Sequence, residues 1–537
     1  MTDTAPVASD RSWASFTEHG PWTIERKDAT WLDLAATLRT QARAEVPALT
    51  AARRVPPGMR VLTVVGRLGR AVIPWLVKKQ LGRHTDPESS RADISLRLRT
   101  AAESLGATYI KLGQIISSGE GLFPPELVEE FKRCRDQVPA EPFDVVRLTV
   151  EQDLGARLED VFESFDETPL AAASIAQVHV AKLCTGEDVV VKVQRPRVST
   201  LVRKDLEVMS WLAPFLVGRI PVAALANPPA LVELFAETIV EEIDFRMEAA
   251  NMLDVAAMLH DLDQDRYVTP RPHPTLVTRR VLVMERIHGF NFDDVVGMQD
   301  AGIDTEDVVR TAMIAFMEGA IVEGIFHGDL HGGNLLVMAD GRTALLDYGI
   351  VGRLDGGRRN AFLRLMLGAT TNDPKGQVEA LRDLGALPMD TDIAAVVSDL
   401  GLDREEVLDP TQLSGEEMVA EVQRVVKAML GYGAKLPKEL MLYVKNLVFL
   451  DGAIARLAPD LDLIGEVQNI SMLFAMKHGE RLGRELGVDP NSVEFDMDGI
   501  KASVGLDSSA TGLTYRELQE RRAIIQKRMS AHAEGRS

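Results

Sequence analysis

The chain has 537 residues, 46% hydrophobic and 26% charged, and 80 acidic residues against 60 Lys and Arg give a net charge of −20. This composition is near the globular average and excludes collagenous and low-complexity proteins, while the acidic balance argues against a dedicated nucleic-acid-binding protein. The two cysteines, Cys134 and Cys184, are too few for a disulfide framework or a cysteine-based zinc site.

The start of the chain has no basic region followed by an apolar run, and no uncharged apolar stretch reaches the roughly 18–20 residues of a membrane span. We therefore expect a cytoplasmic protein. Residues 1–30 are rich in Ser, Thr and Asp and predict a loose leader.

The next segment, residues 51–84, is basic and has apolar residues near helical spacing. It contains no acidic residue and eight basic ones, which are Arg53, Arg54, Arg60, Arg67, Arg70, Lys78, Lys79 and Arg83. Two interpretations are open. The helix, with Trp75, lies on an anionic membrane surface at the inner membrane face, or it packs its apolar stripe on the domain.

Helical and extended patterns then alternate along the chain. Helical patterns cover about 92–150, 229–259, 306–324 and 357–482, and a further helix is expected from Tyr515 to Met529 in a polar tail. Extended patterns cover about 165–195 and the short apolar strand Val281–Met284, and Ala339–Gly341 predicts a hairpin between 334–338 and 343–346. Strands followed by helices predict an α+β fold.

The strongest chemical signal is the sequence from Ile325 to Asn334, which a second motif beginning at Asp347 follows. Phosphoryl transfer needs a carboxylate to orient the nucleophile and oxygen ligands for a phosphate-bound metal ion. Kinase catalytic loops supply these as H-x-D-x-x-x-x-N and a later Asp-aromatic-Gly turn. This pattern assigns Asp329 as the base and Asn334 and Asp347 as Mg²⁺ ligands.

A kinase also needs a strand lysine that holds the nucleotide phosphates and a helix glutamate that positions that lysine. Lys192 in the apolar strand Val189–Val193 is the candidate, because a lysine there requires a paired ammonium. The alternative is an edge-strand lysine that points to water. The glutamate should come from the helix at 229–259. The usual Gly-rich loop is absent, and an Ala-rich segment, Leu170–Gln177, stands in its place.

These motifs together resemble the UbiB/AarF family of atypical kinases. The resemblance rests on Lys111-Leu112-Gly113-Gln114, on the Ala-rich loop Ala171–Ser174, on the strand around Lys192, on Glu242-Ile243-Asp244 with the later Glu248, and on His327–Asn334. It implies an atypical, two-lobed kinase-like fold with a helical extension over the active site. By this resemblance Lys111 pairs with the acidic Glu242/Asp244 motif that gates the site, and Lys192 pairs with Glu248.

The resemblance also implies a nucleotide-binding set, namely Lys192, Lys111, Gln114, Ala171, Ala172, Ala173, Ser174, Met284 and Glu285. If 229–259 is one helix, Glu242 and Glu248 point about 120° apart around its axis, and Asp244 shares a face with Glu248. A single helix can then supply an acidic partner to each of the two lysines, Lys111 and Lys192.

The expected domain division is a leader with the basic segment (1–91), a helical extension (92–150), an N-lobe (151–290), a C-lobe (291–482) and a polar tail (483–537).

The sequence departs from the family pattern at several places. The aromatic residue of the turn that begins at Asp347 is Tyr348. Gly332 replaces the proline expected after His331 and loosens the catalytic loop, and 117–124 lacks the Arg and Asp that usually follow Gln114.

The implied function is an ATP- or ADP-binding, Mg²⁺-dependent kinase or ATPase that supports isoprenoid quinone or lipid metabolism. Two alternatives stay open, a phosphotransferase to a small-molecule or protein hydroxyl and a nucleotide-gated binding module. The expected partners are the nucleotide and either an anionic membrane surface or an isoprenoid lipid, with no nucleic acid.

Overall fold

The computed structural model describes residues 13–82, 86–117, 123–134, 139–216, 228–402, 428, 429, 431–489, 496, 498, 501, 506, 507 and 509–534. Arg83 of the basic segment and residues 118–122 of the stretch after Gln114 lie outside this set. The chain forms two compact units. The N-terminal unit comprises Met1–Gly289, Asn334–Leu336 and Thr343–Val351, and the C-terminal unit comprises Phe290–Gly333, Val337–Arg342 and Gly352–Ser537. The predicted five-part division stays a prediction.

The helices and strands confirm the predicted α+β class. The helices are α1 (Leu32–Thr50), α2 (Arg60–Gln80), α3 (Pro87–Leu105), α4 (Ala107–Ser117), α5 (Pro125–Lys132), α6 (Phe143–Leu154), α7 (Leu158–Val161), α8 (Val198–Leu216), α9 (Pro228–Glu242), α10 (Phe245–Asp261), α11 (Val295–Asp300), α12 (Thr305–Glu318), α13 (Gly356–Thr370), α14 (Pro374–Asp383), α15 (Ile393–Leu400), α16 (Lys438–Leu457), α17 (Leu463–Leu486) and α18 (Tyr515–Glu534). The strands are β1 (Phe162–Phe165), β2 (Ala171–Ala172), β3 (Ala176–Leu183), β4 (Asp188–Gln194), β5 (Tyr267–Val268), β6 (Pro272–Val277), β7 (Val281–Glu285), β8 (Phe290–Asn291), β9 (Ile325–His327), β10 (Leu335–Val337), β11 (Thr343–Leu345) and β12 (Val351–Arg353).

The main sheet of the N-terminal unit has the antiparallel order β1-β3-β4-β7-β6, and β2 pairs with β3. Val189, Val191 and Val193 of β4 belong to a buried cluster with Val146 and Val150 of α6. Because side chains alternate across a strand, Lys192 points to the opposite face. The side chains of β4 therefore divide between two faces. The three valines point into the core, and Lys192 points towards α10.

The prediction of a single helix over 229–259 is wrong, because two helices cover this range. Helix α9 ends at Glu242 and α10 begins at Phe245. Asp244 has an extended backbone, and its carboxylate accepts from the Arg246 amide as the N-cap of α10. An acceptor at this position satisfies an amide of the first turn, so Asp244 starts a new helix. The expected 120° relation between Glu242 and Glu248 along one axis therefore does not apply.

The first described residues are packed, which corrects the prediction of a loose leader for the part from Trp13 onward. Phe16 and Ile24 are buried, the Ser15 amide donates to the Ala256 carbonyl at 2.9 Å, and the Thr269 amide donates to the Ser15 carbonyl at 2.9 Å. This segment is thereby attached to α10 and to the chain that follows β5.

Helix α2 has two apolar faces. Val61, Val64, Ala71 and Trp75 are buried, and the Trp75 indole donates to the Ser90 carbonyl at 3.0 Å, so this stripe packs on the domain. The idea that Trp75 itself lies on a membrane is therefore wrong. A second apolar set on α2 is exposed and consists of Leu62, Val65, Ile73, Leu76 and Val77.

In the C-terminal unit, an aromatic cluster joins β9, α12, α13 and α16. The Tyr443 ring of α16 lies 5.0 Å from Phe316, 6.0 Å from Phe326 and 4.9 Å from Phe362 between ring centroids. Phe326 is the residue before His327, so the cluster fixes the start of the predicted catalytic loop against α16. Aromatic contacts of this kind add about 0.5–1.5 kcal/mol each beyond the buried area.

The predicted hairpin and the predicted C-terminal helix are both present, and the described part of the helical stretch predicted for 357–482 forms α13 to α17. Residues 403–427 and 430 of that stretch lie outside the described residues. The hairpin has the Met338 amide donating to the Arg342 carbonyl at 2.8 Å, and Gly341 adopts a left-handed φ of +81° at its turn. The C-terminal helix is longer than predicted, and its start is buried rather than exposed, since Tyr515 is 2% exposed. Among the described residues, none of the helices combines the length and apolar character that crossing a membrane requires.

Candidate active site

Lys192 is the centre of a buried charge cluster in the N-terminal unit. Its Nζ lies 2.7 Å from Glu248 Oε1 and 3.0 Å from Asp347 Oδ2, and it sits 5.5 Å from the ring centroid of Phe245. Lys192 and Glu248 are 6% and 3% exposed. The alternative of an edge-strand lysine that points to water is therefore wrong, and the predicted pairing of Lys192 with Glu248 is present.

The cluster keeps Lys192 positively charged. Burial alone would lower the pKa of Lys192, but the carboxylates of Asp347 and Glu248 outweigh burial and raise that pKa above its ordinary value. Burial also raises the pKa of Glu248 to about 7, against the opposing effect of Lys192. A lysine that is charged, buried and fixed by two carboxylates is prepared to bind phosphate oxygens.

Asp347 lies in a tight turn with strained backbone. Its φ is +51°, a conformation that costs a non-glycine residue about 1–3 kcal/mol and persists only where the surroundings hold it. The Gly349 amide donates to Asp347 Oδ1 at 3.1 Å, and the Leu346 amide donates to the Asn334 carbonyl at 2.8 Å. These contacts connect the Asp347 turn to Asn334, the other predicted metal ligand.

Hydrogen bonds of Tyr348 and Asn251 hold the Asp347 turn in place. Asn251, on α10 one turn after Glu248, donates to the Tyr348 carbonyl at 2.9 Å, and the Tyr348 hydroxyl shares a 2.9 Å hydrogen bond with Thr269 Oγ1. Tyr348 is 1% exposed. Because a buried hydroxyl needs a partner, Thr269 accounts for a tyrosine at this aromatic position.

The donor set at this turn suits Mg²⁺. Asn334 and Asp347 offer hard oxygen atoms, and the Asp347 side chain is 46% exposed. Glu248 Oε2 is buried with no hydrogen-bond partner among the described residues. The described residues contain no cluster of three or more His, Cys, Asp or Glu side chains fit for a metal ion. Mg²⁺ typically takes one or two protein ligands and completes its shell with phosphates and water, so the residues present fit this ion bound together with a nucleotide.

Helix α4 brings Lys111 to the same region of the N-terminal unit. Lys111 Nζ lies 2.9 Å from Glu242 Oε2, and the Glu242 side chain is 4% exposed. A Cβ atom at Gly349 would lie 3.2 Å from Asp347 Oδ1 and 3.5 Å from Glu242 Cγ. The Lys111–Glu242 pair therefore sits beside the Asp347 turn, as the resemblance implies for a gating acid.

Gly113 allows α4 to pack closely against α5. A Cβ atom there would lie 2.5 Å from the Phe131 ring of α5, which no real side chain tolerates without movement. Gln114 follows on the same helix, three residues after Lys111. The glycine of the Lys-x-Gly-Gln motif is thus required by packing against α5.

The second acid of the gating motif has a different partner. Asp244 forms an ion pair with Arg246 at 2.7 Å, in addition to its capping contact. Glu242, at the end of α9, pairs with Lys111. Glu248, in the first turn of α10, pairs with Lys192. The break between the helices creates this division.

The Ala-rich loop is held by a buried arginine. Ala171 and Ala172 form β2, and the Arg195 side chain donates to the Ala173 carbonyl at 2.9 Å and to the Pro139 carbonyl at 3.0 Å. Ser174 is 4% exposed. The sequence analysis did not identify this role of Arg195.

Met284 and Glu285 end strand β7. The Glu285 amide donates to the Arg271 carbonyl at 2.9 Å, and its carboxylate is bound by Arg271 at 3.2 Å and by the Thr17 hydroxyl. These contacts favour an anchoring role for Glu285, because a nucleotide would have to displace them. The nucleotide-binding assignment of both residues stays a prediction.

Asp329 lies in the C-terminal unit, in the loop after β9. Its amide donates to His327 Nδ1 at 3.2 Å, and its carboxylate forms an ion pair with Lys445 of α16. Asn446 donates to the His327 carbonyl and accepts from the Leu330 amide at 3.1 Å. Sequence reasoning missed Lys445 and Asn446, because they follow the loop by more than 110 residues and no local motif marks them.

Comparison with known proteins places these residues in a family. A sequence model of the ABC1 atypical kinase-like domain matches residues 133–381. An uncharacterized chloroplastic aarF domain-containing protein kinase of Arabidopsis thaliana is 34% identical over 404 residues, which are 70% of this chain and 74% of that protein. A "Probable protein kinase UbiB" of Aeromonas salmonicida is 31% identical over 409 residues, covering 74% and 72% of the two chains.

A Mycobacterium tuberculosis protein solved as a complex with erythromycin is 21% identical, covers 65% of this chain and 91% of its own, and superposes with a TM-score of 0.35. The sequence relatives carry the family assignment, because they are more similar to this chain and cover more of it. The chain therefore belongs to the UbiB/AarF family of atypical kinases and carries the kinase-like domain of that family.

Proposed function

We propose that the protein binds Mg²⁺ with ATP or ADP and acts as an ATPase or phosphotransferase. The observation that carries this proposal is Lys192, held 2.7 Å from Glu248 and 3.0 Å from Asp347 in a charged, buried state. Lys192 would bind the α- and β-phosphates, and Asn334 and Asp347 would hold the metal ion. Bound Mg²⁺ would neutralise negative charge on the phosphate oxygens. Asp329 would orient the acceptor hydroxyl or water and take its proton.

Ligand-induced stabilisation tests the metal assignment. A ligand that binds only the native state at 100 times its dissociation constant adds about 2.7 kcal/mol to the free energy of unfolding. We expect Mg²⁺–ADP to raise the melting temperature of the wild type and to leave that of Asp347→Asn nearly unchanged. Asp340→Asn, which removes a carboxylate from the hairpin turn, is the matched control and should respond like the wild type. Equal stabilisation of Asp347→Asn would contradict the assignment.

The acceptor is proposed to be small. Lys111 reaches Glu242 beside the Asp347 turn, so the helical extension lies against the proposed nucleotide site and would obstruct an extended peptide. We expect ATP turnover with poor phosphorylation of added proteins. The resemblance to UbiB/AarF kinases supports a role in isoprenoid quinone or lipid metabolism. Binding of nucleotide without any turnover, even with anionic lipid, would favour the nucleotide-gated binding module instead.

We also propose that α2 binds an anionic membrane surface. Leu62, Ile73, Leu76 and Val77 are 65%, 60%, 41% and 47% exposed on this helix. The surrounding segment has eight basic residues and no acidic one, although the whole chain carries a net charge of −20. An exposed apolar stripe with flanking cations is the pattern of helices that lie in an anionic bilayer interface.

Vesicle co-sedimentation tests this surface. We expect the full-length protein to sediment with vesicles that contain anionic lipid and to stay in the supernatant with zwitterionic vesicles, in a salt-dependent manner. The double variant Ile73→Ser, Leu76→Ser should lose binding. Met389→Ser, which alters a residue that is 72% exposed outside α2, is the control and should bind like the wild type. Unchanged sedimentation of the double variant would reject α2 as the contact.

A further inference from the structure

Two consecutive residues of α16 contact the predicted catalytic loop at three points. The Lys445 ammonium is paired with the Asp329 carboxylate, and Asn446 bonds the His327 carbonyl and the Leu330 amide. Asn446 is 0% exposed, and the side chains of Lys445 and Asp329 are 19% and 17% exposed. The main chain on both sides of Asp329 is thus fixed by Asn446, and its carboxylate by Lys445.

The backbone at Gly332, where the resemblance expects a proline, runs close to an acidic side chain. Gly332 was expected to loosen the loop, but a Cβ atom there would lie 2.8 Å from Asp293 Oδ2, so the backbone passes close to that carboxylate. Tyr443, two residues before Lys445, anchors α16 in the aromatic cluster with Phe326. Rigid packing at Tyr443 therefore positions the Lys445 ammonium.

We propose that Lys445 is a positioning residue for phosphoryl transfer, which it serves by holding the Asp329 carboxylate ionised and oriented towards the nucleophile. This inference rests on the proposed function. In hydrolysis, a water oxygen forms a bond to the γ-phosphorus while the bond from that phosphorus to the bridging oxygen breaks. The electron pair stays on ADP, and the water proton passes to Asp329 and then to solvent.

Three other titratable side chains in or beside the loop have contacts of their own. His327 Nδ1 accepts from the Asp329 amide, His331 Nδ1 accepts from the Gly333 amide at 3.1 Å, and Asp293 is paired with Arg456 of α16. Lys445 is the cation bound to the Asp329 carboxylate among the described ion pairs. An opposite charge in contact lowers the pKa of a carboxyl group by about 1–3 units, so removal of Lys445 should make Asp329 easier to protonate.

Steady-state ATP turnover as a function of pH tests this role. For Lys445→Met we expect kcat to fall about 10- to 100-fold with little change in KM for ATP, because the loss concerns proton transfer rather than nucleotide binding. The acidic limb of the kcat profile should move to higher pH by about 1–3 units. Lys445→Arg should restore most of kcat and the original limb. Lys438→Met, about two turns earlier in α16, should behave like the wild type.

Nucleotide binding and melting temperature, measured on the same variants, separate the outcomes. A folded Lys445→Met protein with unchanged kcat and an unmoved acidic limb would overturn the inference alone. A wild-type protein that binds Mg²⁺–ATP without turnover would overturn this role and the enzymatic function together. Failure of the wild type to bind nucleotide would overturn the proposed function first.

Discussion

Lys192 on β4 and Glu248 on α10 form a buried ion pair with a distance of 2.7 Å between Nζ and Oε1. They are 56 residues apart, and the alternation of β4 and the new start of α10 after Asp244 bring them together. Asp347 makes the second contact to the same ammonium. The structural consequences of this pair can be tested without any nucleotide.

Lys192→Met should destabilise the protein by about 3–5 kcal/mol at pH 8, because it leaves the Glu248 carboxylate buried without its cation. Burial already raises the pKa of Glu248 to about 7, and loss of Lys192 raises it further. The variant therefore loses stability as pH rises from the ordinary carboxyl pKa of 4.5 towards the raised pKa of Glu248, and it should be closer to the wild type at pH 5. Urea unfolding at both pH values checks this.

The double variant Lys192→Met, Glu248→Gln is the control for that experiment. Because the buried charge is removed with its partner, the double variant should recover most of the lost stability and still fail to bind nucleotide. A destabilisation of Lys192→Met that is independent of pH, or that Glu248→Gln does not relieve, would contradict the description of the pair.

Lys111→Met should change nucleotide preference without unfolding the protein. Its ammonium contacts Glu242, which lies beside the Asp347–Gly349 turn, so its removal alters the charge close to the proposed phosphate site. We expect the ratio of ATP to ADP dissociation constants to change by about fivefold or more. Calorimetric titration measures the ratio, and the partner variant Glu242→Gln should change it as well. Identical ratios in the wild type and both variants would rule out a gating role.

Gly113→Ala should destabilise the protein by about 1–3 kcal/mol, although alanine favours helix more than glycine does. The added Cβ atom would meet the Phe131 ring at 2.5 Å. Gly66→Ala in α2 is the matched control, because its Cβ atom meets nothing within 4 Å, and it should stabilise by up to about 1 kcal/mol. Chemical unfolding compares the two. Equal effects at both positions would show that α4 does not pack as described.

The short-range features of the site follow from local patterns in the sequence. The long-range pairs Lys192–Glu248 and Lys111–Glu242 were expected only from the family resemblance. The strand with Lys192, the hairpin and the Asp347 turn follow from alternation and turn residues, which act over a few positions. The break at Asp244 also had a local signal, since an aspartate before an apolar run is a typical N-cap, but the apolar periodicity on both sides outweighed it.

The contacts of Lys445 and Asn446 with the catalytic loop had no such signal. They depend on how α16 packs through Tyr443, which a single sequence does not encode in any short pattern. The same holds for Trp75, whose burial depends on α3, and for the packed residues from Trp13 onward. In each case tertiary contacts decided the outcome where composition alone favoured a surface position.

Isothermal titration of Mg²⁺–ATP into the protein measures whether Lys192 and Asp347 belong to a nucleotide site. We predict saturable binding to one site, with loss of at least most of the affinity in Asp347→Asn and Lys192→Met and wild-type affinity in Asp340→Asn. Absence of binding to folded wild-type protein with every divalent cation tried would contradict the account.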